Sequence, residues 1–239
     1  MNDEARAVAE RYARRGSTDR YSALRPEVWQ TLQERQRALL HLLASHGLTD
    51  LSGLRLLEVG CGTGGNLLEL LRLGFAPQHL TGIELLPDRL AQARHVLPAA
   101  TVLIAGDATA VATTAATAAA IAPASQDFVL QSTVFSSLLD DAFQQRLADA
   151  MWAWLKPGGA VIWYDFTFDN PRNADVRGVP LSRVRALFPQ GRVQHRRVTL
   201  APPLARVLCR WHPGLYGLFN AVPLLRTHVL ACVTKPGRR

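Results

Sequence analysis

The sequence predicts an α/β layer fold in which parallel strands are joined by crossover helices. Short apolar runs recur at Leu54–Val59, Leu80–Glu84, Thr101–Ala105, Asp127–Gln131 and Ala160–Phe166, too short for buried helices and bounded by turn residues. Helical-period stretches near Asn66–Leu73, Asp88–Val96 and Asp141–Leu155 separate them, the alternation that parallel crossovers require. The composition supports a packed core: 239 residues, 48% hydrophobic and 19% charged, exclude a disordered or fibrous chain.

Two helices are expected before the first strand, at about Asn2–Arg15 and Pro26–His46. Pro26 suits a first helical turn and Gly47 a stop, while Leu32, Leu39, Leu40 and Leu43 form an apolar stripe. The uncharged run Ala108–Gln126 is too rich in alanine and threonine, and too interrupted by Pro123, to cross a membrane; it reads as a surface helix or loop. Arg192–Leu200 and Thr227–Thr234 read as a closing strand pair around an insertion, Ala201–Leu225. Within it Leu204, Val207, Leu208 and Trp211 follow i, i+3, i+4, i+7, with Arg206 and Arg210 opposite, which predicts an amphipathic helix ending by Pro213. Such a helix suits a substrate-pocket roof or, with Tyr216 and Phe219 nearby, contact with a membrane interface. No repeat or linker divides the chain, so one domain over 1–239 is expected: a helical lid at 1–50, a core at 51–170 and a substrate-side region at 171–239.

The opening MNDEARAVAERYARR lacks an apolar h-region, which points to the cytoplasm, at most peripheral to the inner membrane face. Cys61, Cys209 and Cys232 are odd in number and widely spaced, so reduced thiols and no metal site are expected. Charge is unevenly placed. Residues 1–171 hold 14 basic and 18 acidic side chains, whereas 172–239 hold 13 basic ones and a single acid, Asp175. That asymmetry favours an anionic partner, although all but two of the basic residues are arginine, as codon bias in an alanine-rich chain would also produce.

The stretch LLEVGCGTGGNLLEL fits two ligand templates. Gly60-x-Gly62-x-x-Gly65 matches a dinucleotide fingerprint, and glycines at a strand-to-helix turn let the backbone approach either kind of ligand closely. Glu84, at the end of the next strand, would serve a ribose diol in both cases. Three features favour S-adenosylmethionine: Glu58, whose carboxylate can accept from an ammonium that nicotinamide cofactors lack; Asp107 in Gly106–Ala108, placed for an exocyclic adenine amine; and the turn Lys156-Pro157-Gly158-Gly159 before the fifth strand. LLEVGCGTGGNL, GIELLPDRL, AGDA, and LKPGG followed by AVIWYDF together resemble the class I S-adenosylmethionine-dependent methyltransferases over about Leu54–Phe166. The resemblance implies a Rossmann-like, doubly wound, seven-stranded sheet with an antiparallel last strand. It also implies that Glu58, Gly60, Cys61, Gly62, Thr63, Gly64 and Asn66 surround the methionine part of the cofactor. Glu84 would bond the ribose, Leu85 pack on adenine, Asp107 and Ala108 read its edge, and Gln131 and Ser132 lie beside the sulfonium, S-adenosylhomocysteine being the product.

The acceptor is less legible. QSTVFSSLLDD lacks the Asn/Asp-Pro-Pro-aromatic signature with which related enzymes hold an amino group, and no nucleic-acid-binding module accompanies the basic residues, so nucleic acid is an unlikely partner on sequence grounds. The loop YDFTFDNPRNADVRGVP offers Tyr164, Asp165, Asp169, Asn170, Asn173 and Arg177, with Asp165 as candidate base and Arg177 as an anion clamp. Tyr12 and Tyr21 in the lid, Phe135 after the fourth strand, and Trp211 complete the acceptor-side candidates. His195, His212 and His228 have no metal-like spacing and read as packing or surface residues, although histidine can act as a base. The expected activity is methylation, at oxygen, of an anionic small-molecule, glycan or lipid-linked acceptor. RNA methylation and non-catalytic cofactor binding are the rivals, and oligomeric state is left open.

Overall fold

The computed structural model describes residues 3–14, 22–111, 121–171 and 173–237. Its strands are β1 (Leu56–Val59), β2 (Leu80–Glu84), β3 (Val102–Ala105), β4 (Gln126–Ser132), β5 (Leu155–Phe166), β6 (Arg192–Leu200) and β7 (Arg226–Thr234). They form one sheet of order β3-β2-β1-β4-β5-β7-β6, with β7 antiparallel to both neighbours and the pairs from β3 to β5 parallel. The expected seven-stranded architecture is therefore present. β5 starts five residues earlier than expected, because Gly158, at φ 83°, carries the Lys-Pro-Gly-Gly bend inside the strand instead of ahead of it.

The helices are α1 (Asp3–Arg14), α2 (Pro26–Ser45), α3 (Gly65–Leu73), α4 (Pro87–Val96), α5 (Ala108–Val111), α6 (Asp141–Trp154), α7 (Leu181–Leu187), α8 (Pro202–Trp211) and α9 (Leu215–Asn220). Side chains alternate along each strand, so the sheet buries two apolar layers. Leu57, Val129, Trp163 and Ala231 pack with Leu147 and Met151 of α6 on one face. Leu56, Leu130, Ile162 and Cys232 pack on the other with Ala38 and Leu43 of α2 and Leu67 and Leu70 of α3. Each fully buried Leu or Phe contributes about 1.5–3 kcal/mol, so these layers fix the strand ends that carry the polar groups.

Two expectations need correction. α2 is a layer helix and not part of a lid; its stripe runs through Ala38, Leu39, Leu42 and Leu43, while Leu40 is 46% exposed. α8 forms as expected but buries a different stripe: Ala205 and Cys209 pack with Leu200 and Tyr216, whereas Val207 and Trp211 are 56% and 83% exposed. Small side chains face inward because Tyr216 fills the space beneath them. Of Ala108–Gln126, α5 and Ile121–Gln126 are described, and Ala112–Ala120 lie outside the described residues.

Candidate functional site

Three carboxylates stand at adjacent strand ends: Glu58 on β1, Glu84 on β2, and Asp107 two residues past β3. Between the first two, the chain turns through Gly60, Gly62 and Gly64 at φ 67°, 57° and 85°, a region that side chains with a Cβ rarely enter. Space forbids them as well. A Cβ at Gly60 would lie 2.6 Å from Val134 Cγ2, and one at Gly62 would lie 2.7 Å from an Arg89 guanidinium nitrogen. The turn opens directly into α3, whose N-cap is Gly64, so no side chain caps the first backbone N–H groups.

Glu58 is fully buried and half satisfied. Asn66 Nδ2 donates to its Oε1 at 2.5 Å, and Arg35 donates to Asn66 Oδ1 at 2.7 Å, while Glu58 Oε2 has no partner among the described residues. Burial pushes its pKa up to about 8, against the Asn66 hydrogen bond and the Arg35 charge. A buried, half-bonded carboxyl is costly unless a donor or cation completes it. Glu84 is also buried; its Oε2 accepts from Gly62 N at 2.7 Å and its Oε1 from Leu86 N at 2.9 Å, so it braces the glycine turn while each oxygen keeps a free lone pair. Asp107 Oδ1 accepts from Thr109 N and Oγ1, both at 2.8 Å, at the start of α5, where Ala108 is buried. Leu85 lies half-buried beside that core. Cys61 is bonded through its N–H to Ile83 O, its thiol buried and its pKa raised by burial; Thr63 is exposed.

The end of β4 is tied back on itself. Gln131 is buried, Val134 N donating to its Oε1 at 3.1 Å and its Nε2 donating to Tyr164 O at 3.4 Å. Ser132 is half-buried on the same face as Glu58 and Tyr164. Thr133 follows at φ 57°, an unfavourable conformation for a β-branched residue. α1 covers this turn: Arg11 donates to Ser137 O at 2.9 Å and to Glu4 at 2.6 Å, and Glu4 accepts from Leu139 N at 2.8 Å. Tyr12, on the same helix, lies under the Arg89 guanidinium at 5.2 Å, beside Gly62. Tyr21 lies outside the described residues.

Several acceptor-side expectations change. Phe135 is wholly in the core, its ring 4.5 Å from that of Trp163. Asp165 points to that same core face; its two oxygens accept from Ser136 N at 3.1 Å and Phe166 N at 3.0 Å, and burial raises its pKa to about 7. At zero exposure, with both oxygens held by backbone N–H groups, it fixes the turn after β4. Arg177 is ion-paired with Asp141 and so is not a free anion clamp. Asn170 is exposed, and Asn173 closes a turn, its N–H donating to Asn170 O and its Oδ1 accepting from Asp175 N. Asp169 accepts from Gly178 N at 2.8 Å. Trp211 lies on the outer face of α8.

Tyr164 alone of that loop joins a polar cluster, and its partners come from distant segments. The His228 ring stacks on it at 5.0 Å and 16°, Arg35 lies over it at 5.4 Å, and its hydroxyl meets Thr199 Oγ1 at 2.8 Å. Burial pushes the Tyr164 phenol up to about 12 and His228 down to about 4, the Arg35 charge adding to the second shift. Thr227 Oγ1 lies 3.0 Å from His228 Nδ1, and Nε2 has no hydrogen-bond partner among the described residues. Glu34 accepts from Thr199 N through both oxygens and from the Tyr216 hydroxyl at 2.7 Å. Thr199 itself sits at φ 64°, so strained threonines mark the ends of both β4 and β6. His228, Arg35 and Thr199 were not expected from sequence. They share no local spacing, and only their registers on β7, α2 and β6 bring them together.

The adjacent ends of β1, β2 and β3 thus bring together an unsatisfied carboxylate, a second carboxylate 26 residues on, a helix N-terminus and a third acid, an acceptor set that suits a ligand bearing an ammonium, a diol and an adenine amine. Residues 56–159 match a family model described as a methyltransferase domain. No curated protein matches the chain. Among solved structures, it is similar to a Thermotoga maritima S-adenosylmethionine-dependent methyltransferase, a possible histamine N-methyltransferase, at 17% identity and TM-score 0.62, covering 97% of each chain. It is also similar to the putative methyltransferase in complex with the Haloferax volcanii Trm112 activator, at 15% identity and TM-score 0.58, covering 92% of this chain and 98% of that one. A third, phosphoethanolamine N-methyltransferase 2 from Haemonchus contortus in complex with S-adenosylmethionine, shares 16% identity at TM-score 0.57, covering 84% of this chain and 52% of that one.

Proposed function

We propose that the chain is a class I S-adenosylmethionine-dependent methyltransferase and that it methylates an oxygen of an anionic small-molecule, glycan or lipid-linked acceptor. The observation that carries the cofactor side of this reading is the buried, unpartnered Oε2 of Glu58 beside the glycine turn. An ammonium there completes the carboxylate and reverses the cost of its burial. Glu84 offers its spare lone pairs to a ribose diol, and Asp107 with the Ala108 N–H faces the adenine edge. Leu85 packs on the base, while Gln131 and Ser132 line the sulfonium side. The cofactor, when bound, supplies an electrophilic methyl carbon.

The chain's own work is alignment, since a methyl donor of that strength needs little acid–base help. Arg35, Tyr164 and His228 form the acceptor end. His228 is neutral above about pH 4, so its free Nε2 accepts a hydrogen bond from an acceptor hydroxyl and can take up its proton. A base of such low basicity suits an acidic hydroxyl, and an acceptor that is already an anion needs no proton removed. Arg35 supplies positive charge over Tyr164, and Tyr164 remains a protonated phenol held by Thr199. The sequence from the end of β4, QSTVFSSLLDD, lacks the Asn/Asp-Pro-Pro-aromatic signature that holds an amino group, which favours oxygen over nitrogen.

The test is to incubate the protein with methyl-labelled cofactor and fractionated cell extract. Label is expected in small molecules retained on an anion exchanger. Label in RNA, or in neutral amines, overturns the acceptor assignment. Binding of S-adenosylhomocysteine checks the cofactor site separately.

A further inference from the structure

The strongest unassigned feature is the outer surface of the insertion between β6 and β7. Among the described residues eleven large apolar side chains are prominently exposed, and five of them fall between 207 and 224: Val207 (56%), Trp211 (83%), Leu218 (66%), Val222 (45%) and Leu224 (84%). Exposed apolar groups scattered singly are ordinary; a run of this density on consecutive short elements is not. Val207 and Trp211 are one helical turn apart on α8 and so share its outer stripe, while the inner stripe is already occupied by the packing around Tyr216. Leu24 (95%) and Trp29 (48%) are exposed at the start of α2, the helix on which α8 packs.

The charge around this ridge is predominantly positive, although Glu27 of α2 lies near Cys209 and Glu34 lines the adjoining groove. Arg206 and Arg210 are exposed on α8, and no aspartate or glutamate occurs from residue 176 to the end of the chain. α9 also walls a groove of about 470 Å³ lined by Arg37, Arg196 and Arg226, with Glu34 the one acid in its lining. Arg37 and Arg196 have no ion pair among the described residues.

We infer that the ridge from α8 to Leu224 docks on the surface of an anionic phospholipid bilayer, its apolar side chains entering the interface and its arginines meeting lipid phosphates. A second copy of this chain fits the ridge poorly, because a symmetric contact would set Arg206 and Arg210 against their own images. The ridge also stands at the working end of the sheet. β6 runs parallel to β5, since both pair antiparallel with β7, so Leu200 and the insertion that follows it lie at the end where β1, β4 and β5 present their polar groups. A docked protein would turn that end of the sheet toward the lipid surface. The inference does not depend on which acceptor is methylated.

The test is co-sedimentation of the full chain with vesicles of phosphatidylglycerol and phosphatidylcholine in equal parts, against pure phosphatidylcholine vesicles. Binding is expected on the mixed vesicles only, weakening with salt. The double variant Trp211→Ser/Leu224→Ser keeps every charge, and because both side chains are exposed it should melt at the parent temperature. Its partition coefficient on the mixed vesicles should fall at least about tenfold, the loss expected from removing two interfacial apolar side chains. Arg206→Glu/Arg210→Glu should abolish the preference for phosphatidylglycerol. The inference is overturned if the parent does not sediment with the mixed vesicles, or if the serine variant sediments equally well, which would mean charge attraction alone. It is also overturned if the ridge instead mediates self-association, seen as a fall in sedimentation coefficient when Trp211 and Leu224 are replaced.

Discussion

The two ends of the sheet order are built differently. From β3 to β4, every group assigned to the cofactor sits at or just past a strand end, within a few residues of a glycine or a helix start, and is held by its own neighbourhood: Glu84 by Gly62 and Leu86, Asp107 by Thr109. From β5 to β6, the acceptor cluster draws one residue each from α2, β5, β6 and β7, so that Arg35, Tyr164, Thr199 and His228 meet only through tertiary packing. A ligand of fixed chemistry can be met by local motifs. A pocket whose ligand differs between enzymes of one fold is assembled from segments that vary independently.

That contrast can be broken most forcefully at Glu58. Glu58→Gln should weaken S-adenosylhomocysteine binding by about 3–5 kcal/mol, because the ligand's ammonium is left without a buried counter-charge. Calorimetry showing unchanged affinity would remove the keystone of the cofactor half. The same site makes a pH prediction. Folded Glu58 and Asp165 titrate near 8 and 7 against ordinary values of 4.5 and 3.8, so the fold retains protons that the unfolded chain releases. Stability of the ligand-free protein should therefore fall as pH rises from about 4 to about 8. Glu58→Gln should flatten the upper part of that decline, and ligand binding below pH 8 should release a proton, measurable as a buffer-dependent heat.

Glu84→Ala comes next, with a loss of about 1.5–3 kcal/mol in cofactor affinity from a charge-assisted bond and a loosened glycine turn. On the acceptor side His228→Phe should leave cofactor affinity unchanged and lower kcat roughly tenfold, or about 1.4 kcal/mol, an effect smaller than those on the cofactor side because alignment is shared with Tyr164 and Arg35. Asp165→Asn should move melting temperature more than turnover; the reverse result would support Asp165 as a base. The smallest effect belongs to Arg177→Gln. Its pair with Asp141 is largely solvated, so a stability change below about 1 kcal/mol and normal methylation are expected.

What could be read from sequence follows the same division. The glycine turn, the three acids and the strand–helix alternation are legible because turn geometry and burial leave few residue types possible there. The amphipathic helix of the insertion was legible, but not which stripe it buries. That choice depends on Tyr216 lying beneath it, which places alanine and cysteine inward and leaves Trp211 outside. His228 carried no local sign of its role, since its partners are a tyrosine 64 positions earlier and an arginine 193 positions earlier. The bond from Ser136 N to Asp165 was not legible, because a carboxylate at a strand end looks the same in sequence whatever it faces.

The thiol of Cys61 occupies the hollow left by the missing side chain of Gly82, where a Cβ would come within 2.7 Å of the sulfur. The two positions therefore share one volume, and their sizes are linked: alanine at 82 should be tolerated only when residue 61 shrinks to glycine and Leu103 Cδ2, 3.0 Å from the new Cβ, gives way. For the same reason thiol-directed labels should miss Cys61 in the native protein, although it lies in the glycine turn. Labelling there would report that β2 has parted from the turn.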